Sequence, residues 1–541
     1  MTKENFLLRG DEIMSQININ NLSFQYDTHG EDIFKNVSFC IDTDWKLGLI
    51  GRNGRGKTTF LKLLMGEYEY GGQITSTVKF EYFPIKGCDI FGTALEVVRN
   101  TIAPFTTWEK EMEEYSQLPD KMEEYGQILE KYIDNDGYII NELIEKEVNK
   151  IGLDTNILTK TFDILSSGEQ TKLLLAGLFL RKNHFLLIDE PTNHLDVEGR
   201  EIVAKYLASK KGFIVVSHDR AFLDSIVDHI LSINKANIEI QKGNFSTWQL
   251  NKDREDEFEK SKNEKLQKDI QRLQKTAKQK STWSHKIEAS KKGNGPVDRG
   301  FIGHKAAKMM KRAKSIEARQ NKAIEEKSKL LKNLDVVETL KLLSKKTTDL
   351  TILEQEKDSI LEVHNLQINY KDKNIFDDIS FDIKKGERVW LRGKNGSGKS
   401  SIIKLIIGED INHTGYIKKT KKISYISQET SHLKGNLDDF IKNENVNNLH
   451  VKSNLIRLGF ENIQFEKDIS QWSEGQKKKL LIAKSLCEDA DLYIWDEPLN
   501  FIDVISRMQV ENLIFSEKPT MLFVEHDTSF GEKIATKIVE L

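Results

Sequence analysis

Residues 51 to 58 read GRNGRGKT and residues 393 to 400 read GKNGSGKS, two matches to G-x-x-x-x-G-K-[ST] in one chain. A glycine-rich turn of this kind lets backbone N–H groups and a helix N-terminus approach phosphate oxygens without side chains in the way. The spacing makes Gly51, Arg52, Asn53, Gly54, Arg55, Gly56, Lys57, Thr58 and Thr59 one candidate ATP-binding set. Gly393, Lys394, Asn395, Gly396, Ser397, Gly398, Lys399, Ser400 and Ser401 form the other. Lys57 and Lys399 are expected to reach the β- and γ-phosphates, with Thr58 and Ser400 on Mg²⁺.

The same companions follow each loop in the same order. An apolar run ends in Asp189-Glu190-Pro in the first half and in Asp496-Glu497-Pro in the second. One carboxylate, Asp189 or Asp496, is expected near the metal, and Glu190 or Glu497 is the candidate general base or water-orienting group. A lone histidine then appears, His218 at 28 residues after Glu190 and His526 at 29 after Glu497. A single such histidine is more often structural. The matched placement makes both candidates for contacting the γ-phosphate and positioning water.

These groups need elements to hold them. Runs such as IFKNVSFCI, KLGLIG, HFLLID and GFIVVSHD have the pattern of strands, and the segments after the glycine loops that of helices. Strand, phosphate loop and helix predict an α/β fold with a mostly parallel sheet in each half and ligand at the strand ends. Spacing supports the repeat: Ser166 to Glu190 and Ser473 to Glu497 are both 24 residues. Only the interval from Tyr82 to Ser166, 84 residues against 48 from Tyr425 to Ser473, departs widely. The excess predicts a helical, acidic insertion at about 87–150 that packs on a neighbour or partner.

The middle of the chain is of another kind. Residues 271 to 320 hold 14 Lys or Arg against 3 Asp or Glu, a local balance of +11 in a chain whose net charge is −3. Leu266, Ile270, Leu273 and Ala277, then Met309, Ala313, Ile316, Ala323, Leu330 and Leu334, trace an apolar seam on either side of a break rich in glycine. That pattern predicts two long helices folded into an antiparallel hairpin. A helix over 251 to 287 would extend roughly 55 Å. The expected organisation is an extension at 1–14, a first ATPase domain at 15–250, the hairpin at 251–350 with its tip at about 284–303, and a second ATPase domain at 351–541.

Bulk properties bound the rest. At 541 residues, 38% hydrophobic and 30% charged, the chain is too long for one core and too apolar for disorder. It carries no stretch suited to a membrane span and no secretory leader, so a cytoplasmic protein is expected. Cys40, Cys88 and Cys487 are far apart and odd in number, which argues against a metal or disulfide framework. The stop at Leu541 predicts no arm beyond the second domain.

LSSGEQ at 165 to 170 and WSEGQ at 472 to 476 lift the pattern above a generic phosphate loop. With them the chain resembles the ATP-binding cassette (ABC) ATPases, in which two cassettes close face to face around two ATP molecules. The resemblance implies that Ser166, Gly168 and Gln170 cap the ATP held by the second loop, and Ser473, Gly475 and Gln476 the ATP held by the first. It matches Tyr26 and Tyr370 to the aromatic that stacks on adenine, Asp196 and Asp503 to the loop coupling the two sites, and Gln428 in YISQ to a glutamine that contacts Mg²⁺. The first half departs here, reading YFPI with Ile85 at that position. An isoleucine can neither ligate a cation nor orient water, so the first site is expected to hydrolyse differently.

Two tandem ABC-type P-loop domains joined by a helical hairpin resemble the ABC-F translation factors over nearly the whole chain. DRGFIGHKAAKMMKR at 298 to 312, WDEPLNFID and FVEHD are similar to the antibiotic-resistance branch, the ribosomal protection proteins. That resemblance implies a monomer whose cassettes pair within one chain. It implies a 70S ribosome partner, with 23S rRNA and P-site tRNA near a hairpin inserted through the tRNA exit site, and neither membrane nor DNA. Trp283, His285, Lys286, Lys291, Lys292, Arg299 and Phe301 are the candidate tip residues, since aromatics beside cations suit RNA. The aromatics equally suit packing the tip on its own helices. A housekeeping ABC-F factor, an exporter's ATPase subunit and a DNA-directed ATPase are the competing readings.

Overall fold

A computed structural model describes residues 16–26, 32–85, 91–193, 195–234, 238–255, 340–342, 359–370, 373–374, 378–394 and 396–541, with 257, 258, 261, 262, 265 and 268. Two compact units are distinguished, one holding residues 1–245 and 337–541 and the other Ser246–Val336. In the smaller unit the described residues are helical, and Trp248 is buried. The tip candidates Trp283 to Phe301, the seam residues Leu266 to Leu334 and Cys88 lie outside the described residues, as do 1–15.

The continuous apolar runs become strands buried on both faces, as parallel sheets require. In the first cassette the sheet order is Lys79–Phe83, His184–Asp189, Phe213–Val216, Lys46–Gly51, His229–Ile233, Ile238–Lys242, parallel until the last pair. In the second it is Ile423–Ile426, Leu492–Asp496, Met521–Val524, Arg388–Arg392, Lys537–Glu540, parallel throughout. Each phosphate loop leaves the strand that sits fourth in its sheet, beside the strand that precedes the histidine, with the strand that ends in the Asp-Glu pair one place further out. The order of strands therefore gathers residues that are far apart in sequence at one sheet edge.

An antiparallel sheet backs each cassette. Gln16–Gln25 pairs with Asp32–Asp42 and Gly71–Thr75 in the first, and Leu361–Tyr370 with Ile379–Ile383 and His413–Lys419 in the second. The helices Lys57–Leu64 and Lys399–Ile407 lie between the two sheets of their cassettes, burying Phe60, Leu61, Ile402 and Ile403 in the shared cores. Cys40 is half-buried and Cys487 buried, both as free thiols.

The insertion is helical, as its composition predicts. Ala94–Ile102 and Ile140–Lys150 flank a hairpin of Phe105–Tyr115 and Met122–Asp134. The α-helices of the second cassette in this interval are Leu437–Asn443 and Asn448–Arg457, so the excess falls in the hairpin. Its base is part of its own cassette, because Phe105 and Tyr132 join the core of Val97, Val98 and Ile144. Leu118 and Met122 at its far end stay exposed, as does Ile133 beside the base. Among the described residues no helix is long and apolar enough to cross a membrane.

Candidate functional site

Each phosphate loop turns into its helix through a glycine in the left-handed region, Gly56 at φ 92° and Gly398 at φ 94°. A side chain at Gly56 would also meet Ile33 at 2.6 Å, so only glycine fits. The turn folds the lysine back into the loop. Lys57 Nζ donates to the carbonyls of Gly51 (2.7 Å) and Arg52 (3.3 Å) and to Asn53 Oδ1 (3.3 Å). Lys399 Nζ donates to Gly393 and Lys394, both at 2.8 Å. Both ammonium groups are buried, and burial lowers both pKa values while the nearby carboxylates oppose it. Weak carbonyl partners around a buried cation make a cradle suited to an anionic phosphate.

The cation partners converge beside it. Thr58 Oγ1 donates to Asp189 Oδ2 at 3.2 Å, and Tyr82 adds a bond at 2.8 Å. Ser400 bonds Asp496, whose buried Oδ1 has no hydrogen-bond partner among the described residues. Burial, reinforced by Glu497, pushes Asp496 up to about 6, and burial likewise raises Asp189. Hydroxyl and carboxylate oxygens with an unsatisfied lone pair fit Mg²⁺, a hard ion that takes its other ligands from phosphate and water. Thr58, Asp189, Ser400 and Asp496 would hold it, and when bound it would neutralise charge on the phosphate oxygens.

The two glutamates differ in their surroundings. Both occupy left-handed backbone, Glu190 at φ 52° and Glu497 at φ 47°. Glu497 accepts from Gln428 Nε2 (2.9 Å) and Asn500 Nδ2 (2.6 Å), and His526 Nε2 lies 3.0 Å from its other oxygen. Burial would raise its pKa, but His526 and Gln428 more than offset this and hold it below the usual value. Glu190 has His218 Nε2 at 3.3 Å, and its buried Oε1 has no hydrogen bond among the described residues. Burial and the adjacent Asp189 push it up to about 8, against Arg507 and Lys57. Burial, with Lys57 and Arg507, lowers His218 well below the usual histidine value.

Residues of the second half complete the first site. Asp503 Oδ2 accepts from the backbone N of Asn53 at 3.2 Å, and Asn53 Nδ2 donates to the carbonyl of Phe501 at 2.9 Å. A Cβ on Gly475 would fall 2.6 Å from Asn53 Nδ2 and 2.3 Å from that carbonyl, so a signature glycine lies against the opposite phosphate loop. Arg55 pairs with Glu461 at 3.3 Å. At the reciprocal site Lys394 and Glu198 form an exposed pair at 3.2 Å, while Asn395 lies outside the described residues.

Other sequence candidates take different positions. Ser166 and Ser473 are N-caps in capping boxes with Glu169 and Gln476. Gln170 is turned into its own loop, donating to Phe162 (2.9 Å) and Leu165 (3.2 Å). The register sets Glu169, not Gln170, opposite Gln476, because the third helical residue is the one that can reach back to the cap. Tyr26 bonds Thr59 at 2.9 Å and packs edge-on against Phe24 and Tyr68. Tyr370 ends its strand, and its side chain is outside the described residues.

Sequence reasoning passed over Lys478 and Lys479, both 2% exposed. Lys478 Nζ donates to the carbonyls of Ser427 and Glu497, each at 3.0 Å, and Lys479 Nζ to Asp503 (2.6 Å) and the Leu458 carbonyl (2.7 Å). Asp503 is thereby held well below the usual carboxylate range despite its burial, with Lys57 assisting. The signal was the triple lysine at 477 to 479, too many cations for a helix start that has to pack.

The sequence profile described as "ABC transporter" matches residues 34–193 and 376–500. The ribosome protection protein VmlR of Bacillus subtilis (strain 168) is 26% identical over 524 residues, spanning 96% of this chain and 85% of that protein. The energy-dependent translational throttle protein EttA of Escherichia coli (strain K12) is 27% identical over 540 residues, spanning 94% and 89%. Among solved structures, an archaeal ribosome recycling factor, aABCE1, in complex with the ribosomal stalk protein aP1, superposes with a TM-score of 0.57 at 18% identity, covering 96% of this chain and 87% of that one. At that identity the likeness concerns the fold.

Proposed function

The chain belongs to the ABC transporter family and is an ATPase, and from that premise we propose that it is an ABC-F translation factor of the ribosome-protection kind. ATP drives the two cassettes together within one chain, and closure sets the hairpin in its ribosome-bound pose. The tip, roughly residues 284 to 303, then passes through the tRNA exit site toward the peptidyl-transferase centre, where it acts on 23S rRNA or the P-site tRNA and dislodges a bound antibiotic. Hydrolysis releases the protein. Such a factor works in the cytoplasm on the 70S ribosome.

The observation that carries this reading is the contact of Gly475 and Asp503 with the phosphate loop at Asn53. It supports a closure that takes place within one chain, the property a monomeric factor needs and one that requires no membrane subunit to pair the cassettes. The end-to-end similarity to a ribosome protection protein supports the target. The +11 balance of residues 271 to 320 supports contact with RNA phosphates, which is strongly salt dependent.

The comparable similarity to a translational throttle protein favours a second reading, a housekeeping ABC-F factor acting on the same ribosomal site. Two measurements separate them. The doubly substituted Glu190→Gln/Glu497→Gln protein, sedimented with 70S ribosomes and ATP, is expected to pellet at least tenfold more than without ATP. A drug-sensitive bacterial host expressing the unaltered chain is then challenged with peptidyl-transferase inhibitors. A raised inhibitory threshold for one class supports protection; ATP-dependent pelleting with every threshold unchanged supports housekeeping; no ATP-dependent pelleting removes both.

A further inference from the structure

Arg220 is the first residue of the helix Arg220–Ile226, two positions after His218. Its guanidinium pairs across the cassette interface with Glu511 on the helix Val504–Glu517. Glu511 is completely buried, and its other oxygen takes Lys533 Nζ at 3.1 Å. An unpaired carboxylate at such a site would be strongly destabilising, so the charge has to be matched locally.

The helix that carries Glu511 starts at Asp503, whose Oδ1 caps it through Ser506 N at 2.9 Å while Oδ2 receives Asn53 N. One rigid element thus places two carboxylates, eight residues or about 12 Å apart, on the first cassette. One meets the phosphate loop and the other meets the residue beside the histidine loop. That loop is also tied within its own cassette, where Asp219 caps the helix and pairs with Arg200 at 3.2 Å. His218 in turn faces Glu190 at 3.3 Å.

The arrangement is one-sided. Counting from the aspartates, the residue that matches Glu511 is Ala204, and the residue after His526-Asp527, matching Arg220, is Thr528. Alanine and threonine cannot form an ion pair. We infer that Arg220 and Glu511 are positioning residues of the first composite site, fixing the loop of His218 against the second cassette so that the histidine and Glu190 are aligned only when the cassettes are closed. The second site carries no counterpart and aligns Glu497 from within its own cassette through Gln428, Asn500 and His526.

The test is single-turnover ATP hydrolysis with the full chain. A Glu497→Gln background reports the first site and a Glu190→Gln background reports the second. In the first background, Arg220→Ala and Glu511→Gln are each expected to lower the maximal rate at least tenfold while half-saturation by ATP stays within twofold. Arg220→Lys, which keeps the charge, is expected to recover to within threefold of the background rate. In the second background Arg220→Ala is expected to change the rate by less than twofold, which also shows that the variant is folded. An unchanged first-site rate overturns the inference, as does an equal loss at both sites, a loss expressed mainly in half-saturation, or no recovery with lysine.

Discussion

Glu190 and Glu497 stand in the same sequence context, on the same left-handed turn and opposite a histidine, yet Glu497 is held by two side-chain amides and Glu190 only by its histidine residue. Glu497 has an amide from Gln428, another from Asn500 and a histidine at 3.0 Å, whereas one oxygen of Glu190 is buried without a hydrogen bond among the described residues. A catalytic carboxylate needs a fixed direction as well as a location. Duplicated motifs therefore do not imply duplicated sites, and the difference lies in partners supplied from outside the motif. The first site compensates by drawing on the second cassette through Asp503 and Glu511. In the second, the catalytic carboxylate Glu497 is held by residues of its own cassette.

The largest effect that would break this comparison is on turnover. Glu497→Gln is expected to reduce steady-state ATP hydrolysis at least tenfold, a barrier change of about 1.4 kcal/mol or more, and Glu190→Gln by no more than threefold. Restoring the missing amide by Ile85→Gln should raise first-site turnover a few-fold in the Glu497→Gln background. Phosphate-release assays on the three variants decide it, and equal losses from the two Glu→Gln changes would show that anchoring does not govern the rate.

The next contrast concerns the coupling aspartates. Asp503 is fully buried and neutralises Lys479, while Asp196 is half-buried and caps its helix through Gly199 N at 2.8 Å. Asp503→Ala strands a buried cation and is expected to cost about 3–5 kcal/mol. Asp196→Ala removes a cap and should cost about 1 kcal/mol. Denaturant midpoints for the two variants measure the gap, and similar losses would mean that the Lys479 pair is not needed for stability.

Much of this was legible in the sequence, for a physical reason. Phosphate loops, metal carboxylates and histidines depend on local turns and strand ends, so residue type and spacing encode them. The parallel sheets followed from apolar runs, and the Ile85 departure from a single aligned position. The partners of Lys479 and Arg220 depend instead on how separate helices meet, and no local spacing encodes that. Gln170 shows what spacing leaves open: the motif letters fit a ligand contact, and the helical register directs the amide to the carbonyls of Phe162 and Leu165 in its own loop. The acidic insertion was readable as helix, whereas the burial of its base through Phe105 and Tyr132 required the packed structure.

The smallest expected effect tests the residues just before the two histidines, Ser217 and Glu525. Ser217 is a buried hydroxyl that receives Asp219 N at 3.2 Å and cannot titrate in the relevant range. Glu525 bridges to the next loop, accepting from Leu499 N at 2.8 Å, and burial pushes it up to about 7 even though Arg507 and that backbone bond favour its charged form. A carboxyl raised from about 4.3 in the unfolded chain binds more protons when folded, so its contribution to stability is present at low pH and declines as pH rises toward and through 7. Glu525→Gln keeps the acceptor for Leu499 and removes the titration. The unaltered chain should therefore lose more thermal stability than the variant between pH 5.5 and pH 8. The excess should be a few degrees, since about 1 kcal/mol moves Tm by roughly 2–4 °C in a domain of this size. Parallel Tm profiles for the two proteins would sink the idea, and a larger loss in the variant would reverse its sign.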